Sequence, residues 1–278
     1  MTILTFTLLI AIGSVGAGLL GALTGLGGGI VIVPMLTILF GVNLRYAIGA
    51  SLIAVIATSS GAAAAYVREG YTNVRVGMFL EVATTIGALL GAYVAGLISP
   101  NAIAIIFAVV LLYSAYRSRL PHEEHLSHAA PHPLAVRLRL NGSYPTPEGE
   151  QAYSVQNVPL GFSLMAVAGV LSGLLGIGSG ALKVLAMDQA MRLPFKVSTT
   201  TSNFMIGVTA AASAGIYLHR GYIDPGLALP VMLGVLTGAR LGARLLTRAR
   251  TPHLRALFTL VVVVLALEMF YKGITGSL

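Results

Sequence analysis

The sequence predicts an all-α integral membrane protein made of two inverted repeats, each of five helical segments with a broken or re-entrant hairpin at a glycine-rich turn. Three observations carry that reading. Only 9% of the 278 residues are charged and 56% are hydrophobic, whereas soluble domains carry about 25% charged residues. Ten apolar segments follow one another, several of them free of charge over the length of a membrane span. The chain also repeats itself. Shifted by 151 residues without a gap, Gly25, Gly27 and Gly29 fall on Gly176, Gly178 and Gly180, Ser51 on Ser202, Thr58 on Thr209 and Tyr66 on Tyr217. Gly70 and Tyr71 then fall on Gly221 and Tyr222, and Gly87 and Gly91 on Gly238 and Gly242. A single register held this far marks a duplicated unit.

The segments of the first repeat, residues 1–116, cover 3–23, 26–41, 45–67, 76–98 and 101–116. Those of the second, residues 157–278, cover 157–175, 177–191, 197–218, 226–246 and 254–271. The first positive charge is Arg45. The N-terminus therefore lacks the basic region of a cleavable signal, and the first segment is expected to stay as a span. The second and seventh segments are too short to cross a bilayer core of about 30 Å. Each follows a glycine cluster, Thr24-Gly25-Leu26-Gly27-Gly28-Gly29 and Gly176-Ile177-Gly178-Ser179-Gly180, so both read as half-spans returning from a turn. Irregular backbone at membrane depth persists only where protein buries it or where it lines a cavity. Glycine clusters also let transmembrane helices pack closely, but two clusters at matched positions favour a transporter site.

Five segments per repeat is an odd number, so the second repeat enters the membrane from the opposite side. Arg68, Arg75, Arg117, Arg119, Arg137, Arg139, Arg192, Lys196, Arg244, Arg248, Arg250 and Arg255 then fall on one side, against Arg45, Arg220 and Lys272 on the other. With four crossings per repeat the split is eight against seven. The positive-inside rule selects the twelve-to-three arrangement, with both termini periplasmic, the 117–156 linker cytoplasmic and the protein in the cell inner membrane. That linker holds five prolines and His122, His125, His128 and His132. It reads as a solvated connection, because Pro131 interrupts the helix that a histidine metal site would need. The net charge of +8 belongs to orientation rather than nucleic-acid binding, since tryptophan is absent and few aromatics accompany the basic residues. With no cysteine, disulfides and thiolate metal sites are excluded. No cofactor and no resident metal are expected.

The chemistry is expected at the two turns. Helix N-termini attract anions, and the repeat brings two of them to the bilayer midplane, the arrangement by which broken helices hold anionic substrates in secondary transporters. The candidate substrate-binding residues are Thr24, Gly25, Gly27, Gly28 and Gly29 of the first turn and Gly176, Gly178, Ser179 and Gly180 of the second. Ser51, Ser202 and Asn203 flank them, and Lys183 lies just beyond the second turn. An intramembrane lysine is a functional hypothesis by default. Its bland alternative is a structural partnership with Asp188. The hydroxyls around Ser51 and from Ser198 to Asn203 suit an oxyanion and equally suit interhelical hydrogen bonds. Glu81 and Glu268 lie near segment ends, where a carboxylate could relay protons or simply face the interface.

At these residues the chain resembles the sulfite exporter TauE/SafE family of membrane permeases. The resemblance rests on the Thr24–Gly29 turn followed by Ile30–Pro34, on Ala50-Ser51-Leu52 leading through Ser60-Gly61 to Tyr66, and on Gly70-Tyr71, with a variant pattern in the second half. Ser179 stands there in place of a glycine, and Lys183 enters the core. The resemblance implies a secondary transporter, expected to export sulfite, a sulfonate or a related sulfur-containing anion, driven by a gradient of protons or another coupling ion. The lipid bilayer is its other partner, and an oligomer is compatible with the reading.

Other classes fit less well. A passive anion channel shares the turns but not the coupling. An intramembrane serine hydrolase with Ser179 as nucleophile lacks a base, because His219 and His253 sit at segment ends. A dinucleotide fingerprint fails at Ile30, and no Gly-Lys-Ser/Thr follows for a Walker loop.

Overall fold

A computed structural model describes residues 2–24, 28–68, 70–119, 132–146, 149–246 and 251–276. Helix α1 (Ile3–Thr24) is followed by a short α2 (Gly29–Pro34) that runs into a π-helical turn at Met35–Leu39. Helices α3 (Leu44–Arg68), α4 (Val74–Ala95) and α5 (Pro100–Arg119) complete the first half. A short α6 (Pro133–Arg137) and a hairpin of β1 (Gly142–Thr146) and β2 (Gly149–Tyr153) form the connection. The second half comprises α7 (Val158–Leu175), α8 (Gly180–Leu185) with a π turn at Ala186–Ala190, α9 (Phe195–His219), α10 (Pro225–Leu246) and α11 (Thr251–Thr275).

The 151-residue register is visible in the backbone. Adding 151 to the bounds of α2, its π turn, α3 and α4 gives the bounds of α8, its π turn, α9 and α10 without remainder. The packing follows suit: α1 lies on α10 as α4 lies on α7, α3 touches α10 as α9 touches α4, and α3 pairs with α9 as α5 pairs with α11. The start of α3 meets the end of α9, where Gly49 abuts the Tyr222 carbonyl. Just beyond the end of α3, the Asn73 N–H donates to Thr201 Oγ1 near the start of α9 (3.0 Å). The two helix pairs close on backbone. A Cβ at Gly87 or Gly91 of α4 would strike the carbonyls of Ala166 or Val170 on α7, and one at Gly238 of α10 would strike that of Val15 on α1. Small residues allow this approach, and in lipid such close packing drives helices together.

Helices α1, α4 and α7 are long and apolar enough to cross a membrane. Large apolar side chains face outward along them, including Leu8 and Ile12, Val82 and Ile86, Leu164 and Val167. In water such faces would be a liability; against acyl chains they are the expected surface.

The fold is that of an all-α membrane protein; its connection carries one small antiparallel hairpin and, unlike the expected solvated linker, buries several side chains. Tyr144, Tyr153, Leu140 and Val155 are buried with Val76 and Leu80 of α4 and Val158 of α7. Asn73 organises the joint. Its side chain caps α4 by accepting from the Val76 N–H (3.0 Å), and it donates to the Leu140 carbonyl and Tyr153 Oη (both 2.8 Å). Burial raises the Tyr153 phenol above its ordinary range, against the opposing pull of the Asn73 hydrogen bond. His132 caps α6, its Nδ1 accepting from the Leu134 N–H (3.2 Å). His122, His125 and His128 lie outside the described residues.

Candidate functional site

The second turn is built by left-handed backbone. Gly176 (φ +68°) ends α7, and Gly178 (φ +73°) and Ser179 (φ +46°) carry the chain into α8. Glycine adopts such angles without penalty, whereas Ser179 sustains one as a non-glycine residue. Ser179 is 3% exposed and its Oγ is buried without a hydrogen-bond partner. Of the first turn, Gly25 and Gly27 lie outside the described residues, as does the side chain of Thr24. Gly28 caps α2, its carbonyl accepting from the N–H groups of Val31 and Ile32 (both 3.1 Å).

The two turns come together. A Cβ at Gly29 would lie 3.2 Å from the Gly176 carbonyl oxygen and 2.9 Å from Ser51 Oγ. Ser51, fully buried on α3, donates to that Gly176 carbonyl (2.8 Å). Ser202 on α9 donates to the Gly180 carbonyl (3.2 Å), and Asn203 beside it is half-buried. Both serines thus tie a central helix to the second turn. Thr200 and Thr201 serve the frame instead: Thr200 donates to the Tyr71 carbonyl (3.0 Å), and Thr201 accepts from Asn73.

Lys183 is fully buried. Among the described residues its Nζ donates to Thr209 Oγ1 (2.5 Å), and Thr209 donates in turn to Glu81 Oε1 (2.7 Å). Thr85 donates to the same oxygen (3.1 Å). Glu81 is 7% exposed, and its Oε2 is buried with no protein partner. A cation from α8, a hydroxyl from α9 and a carboxylate from α4 therefore form one chain across three elements. Glu81 lies inside α4, among its buried residues. The available signal was sparser: Glu81 and Lys183 are opposite charges inside otherwise apolar segments, and such charges seek each other.

Short broken helices meeting beside buried, incompletely paired polar groups define an integral membrane protein with an interior polar site. A family model, Sulfite exporter TauE/SafE, matches residues 9–269, and the chain belongs to that family. It is similar to the "Probable membrane transporter protein YunE" of Bacillus subtilis, with 29% identity over 98% of this chain and 99% of that protein. A "Probable membrane transporter protein" of Xylella fastidiosa is 28% identical over 96% of each chain. The "Probable membrane transporter protein YdhB" of Bacillus subtilis is 25% identical over 82% of this chain and 85% of that one. No solved structure matches.

Proposed function

We propose that the protein is a secondary transporter that carries a small sulfur-containing oxyanion, sulfite or a sulfonate, past the meeting point of the two turns. One observation carries the reading: the turns converge in the interior, at Gly29 and Gly176, with the Ser179 hydroxyl buried and unpartnered beside them. Such a hydroxyl suits an anion that must shed water and still leave, because it supplies a donor without a fixed charge. The family and the relatives' names support transport over catalysis. Net flux follows the summed gradients, so that an outward anion gradient gives export, the direction the family name suggests.

The repeats, 1–116 and 157–278, are placed in inverted orientation in a cell inner membrane, with the 117–156 connection cytoplasmic and both termini periplasmic. Contacts at the helix ends support the sidedness. Arg45 reaches the Ile98 carbonyl (3.1 Å) and Arg220 the Ala92 and Tyr93 carbonyls (both 3.0 Å), so both gather at one end of α4. Arg75, Lys196 and Tyr71 gather with the hairpin at the other. Cysteines at positions 45 and 220 are expected to react with impermeant reagent from outside, and one at 196 only from inside. Labelling of 45 and 196 from the same side overturns the topology.

The transport reading is tested in proteoliposomes. Vesicles preloaded with unlabelled sulfite should accumulate labelled sulfite against its gradient, which a passive channel cannot do. Ser179→Ala should raise the half-saturating concentration about fivefold, the worth of one neutral hydrogen bond. Absence of counterflow with sulfite, taurine and sulfate removes the proposal.

A further inference from the structure

We propose that Glu81 is the proton-binding group of this protein, and that a proton on its Oε2 is taken up together with the anion. The inference rests on the transport reading above and names its coupling ion. The geometry is asymmetric at the carboxylate. Oε1 receives two hydrogen bonds, from Thr209 and Thr85, while Oε2 is buried with none. An ionised oxygen so placed has lost its water without replacement, whereas a protonated acid is far cheaper to bury. Lys183, linked through Thr209, supplies the opposite charge.

The charge arithmetic couples proton to substrate. With Lys183 as ammonium and Glu81 as carboxylate, the cluster is neutral. When water delivers a proton to Oε2, one O–H bond forms, the hydronium becomes water and the cluster carries +1. Lys183 lies three residues beyond Gly180, about 4.5 Å of helix rise from the second turn. The added charge therefore attracts an anion held at the turns, and a bound anion in turn favours the proton, since linkage is reciprocal. A monoanion and a proton then cross as a neutral pair, which lowers the cost of passing through low dielectric.

Apart from Lys183, the ionisable groups on the elements packed against Glu81 lie toward the helix ends. On α4 the other ionisable side chains, Arg75 and Tyr93, lie toward its ends, and α7 has none. On α9, Lys196 stacks on Tyr71 at one end, His219 is exposed at the other, and Tyr217 is engaged with the Gly173 carbonyl (3.2 Å). Asp188 lies in the π turn that follows α8.

Two measurements on the full chain test this. The first is infrared titration of purified protein. Because the chain has nine acidic residues, the wild-type minus Glu81→Gln difference spectrum is the one to read: it should isolate a carboxylic-acid C=O band that grows as pH falls, and Glu81→Asp should retain such a band. The second uses proteoliposomes with labelled sulfite and a pH-sensitive dye. Wild-type sulfite entry should be accompanied by proton entry and weaken as pH rises. In Glu81→Gln, which imitates the protonated acid, the pH dependence should flatten. At high pH its sulfite affinity should exceed wild type by about tenfold, the effect of one unit charge at about 10 Å and effective dielectric of about 20. Glu81→Asp should restore the slope. Sulfite entry without proton entry in the wild type, or a Glu81→Gln profile identical to wild type, overturns the inference while the transport reading stands. A titrating Glu81 band with no flux of any anion tested overturns the transport reading and leaves the proton site standing. Absence of the band at every pH overturns the site itself.

Discussion

The two halves share a backbone and differ in what it carries. At positions related by 151 residues, the second half has Lys183 where the first has Ile32, and Thr209 where the first has Thr58. Glu81 of the first half corresponds to Met232 of the second. One copy of the interface between short helix, central helix and flanking helix is therefore the buried chain Lys183–Thr209–Glu81; the other is Ile32, Thr58 and Met232. Thr58 donates to the Ala54 carbonyl of its own helix (3.0 Å), as Thr209 does to that of Met205 (3.1 Å), and only Thr209 also meets charged groups. The fold thus needs no charge at this place, since the apolar copy supports the same elements. A buried ion pair is often no more stabilising than apolar packing, so its presence in only one copy points to function.

The largest expected effect comes from breaking the charged copy on one side. Lys183→Ile, which makes the second half resemble the first, leaves the Glu81 carboxylate without its cation and should cost ~3–5 kcal/mol in unfolding from detergent. Adding Glu81→Met should recover most of that loss. A double mutant no more stable than Lys183→Ile would mean that the two residues do not form one unit.

Next in size is the backbone strain at the second turn. Gly178→Val should cost ~3 kcal/mol or more, because a Cβ there meets Ile206 Cγ2 at 2.7 Å and the backbone has φ +73°. Loss of transport in that variant would reflect damage to the turn as much as a closed path, which makes Ser179→Ala the cleaner probe. Thermal unfolding within about 1 kcal/mol of wild type would show that the turn is more permissive than its geometry.

A smaller effect tests the equivalence of the frames. Gly87→Ala on α4 and Gly238→Ala on α10 place a methyl against backbone oxygen at 2.2 and 2.0 Å. Each should lower stability by ~1–3 kcal/mol, and by similar amounts. A marked difference would show that one helix pair carries more of the fold. The smallest effect is expected at Ser51→Ala, ~1 kcal/mol for the lost bond to the Gly176 carbonyl. Binding titration with sulfite should change further if the turn moves with it.

Sequence by itself determined the membrane class, the duplication and the elements. The ten segments correspond to helices or half-helices at every place, including the two short ones, which are shorter still at 29–39 and 180–190. Hydropathy and glycine punctuation are local signals, and each element here is specified by its own residues. The connection was misjudged because prolines and charge suggested solvent, while its few buried residues, Tyr144, Tyr153 and Val155, are too scattered to show a period. Ser51, Ser202 and Lys183 were singled out from residue type and position; the structure buries all three and bonds both serines to the second turn. What only the tertiary structure decided is which groups face each other. Asp188 is five residues from Lys183 in sequence and in the same short segment, yet the lysine reaches Thr209 and, through it, Glu81 on a helix of the other half. Helix faces and interhelical packing set that pairing, and neither spacing nor composition along one chain records which faces will meet.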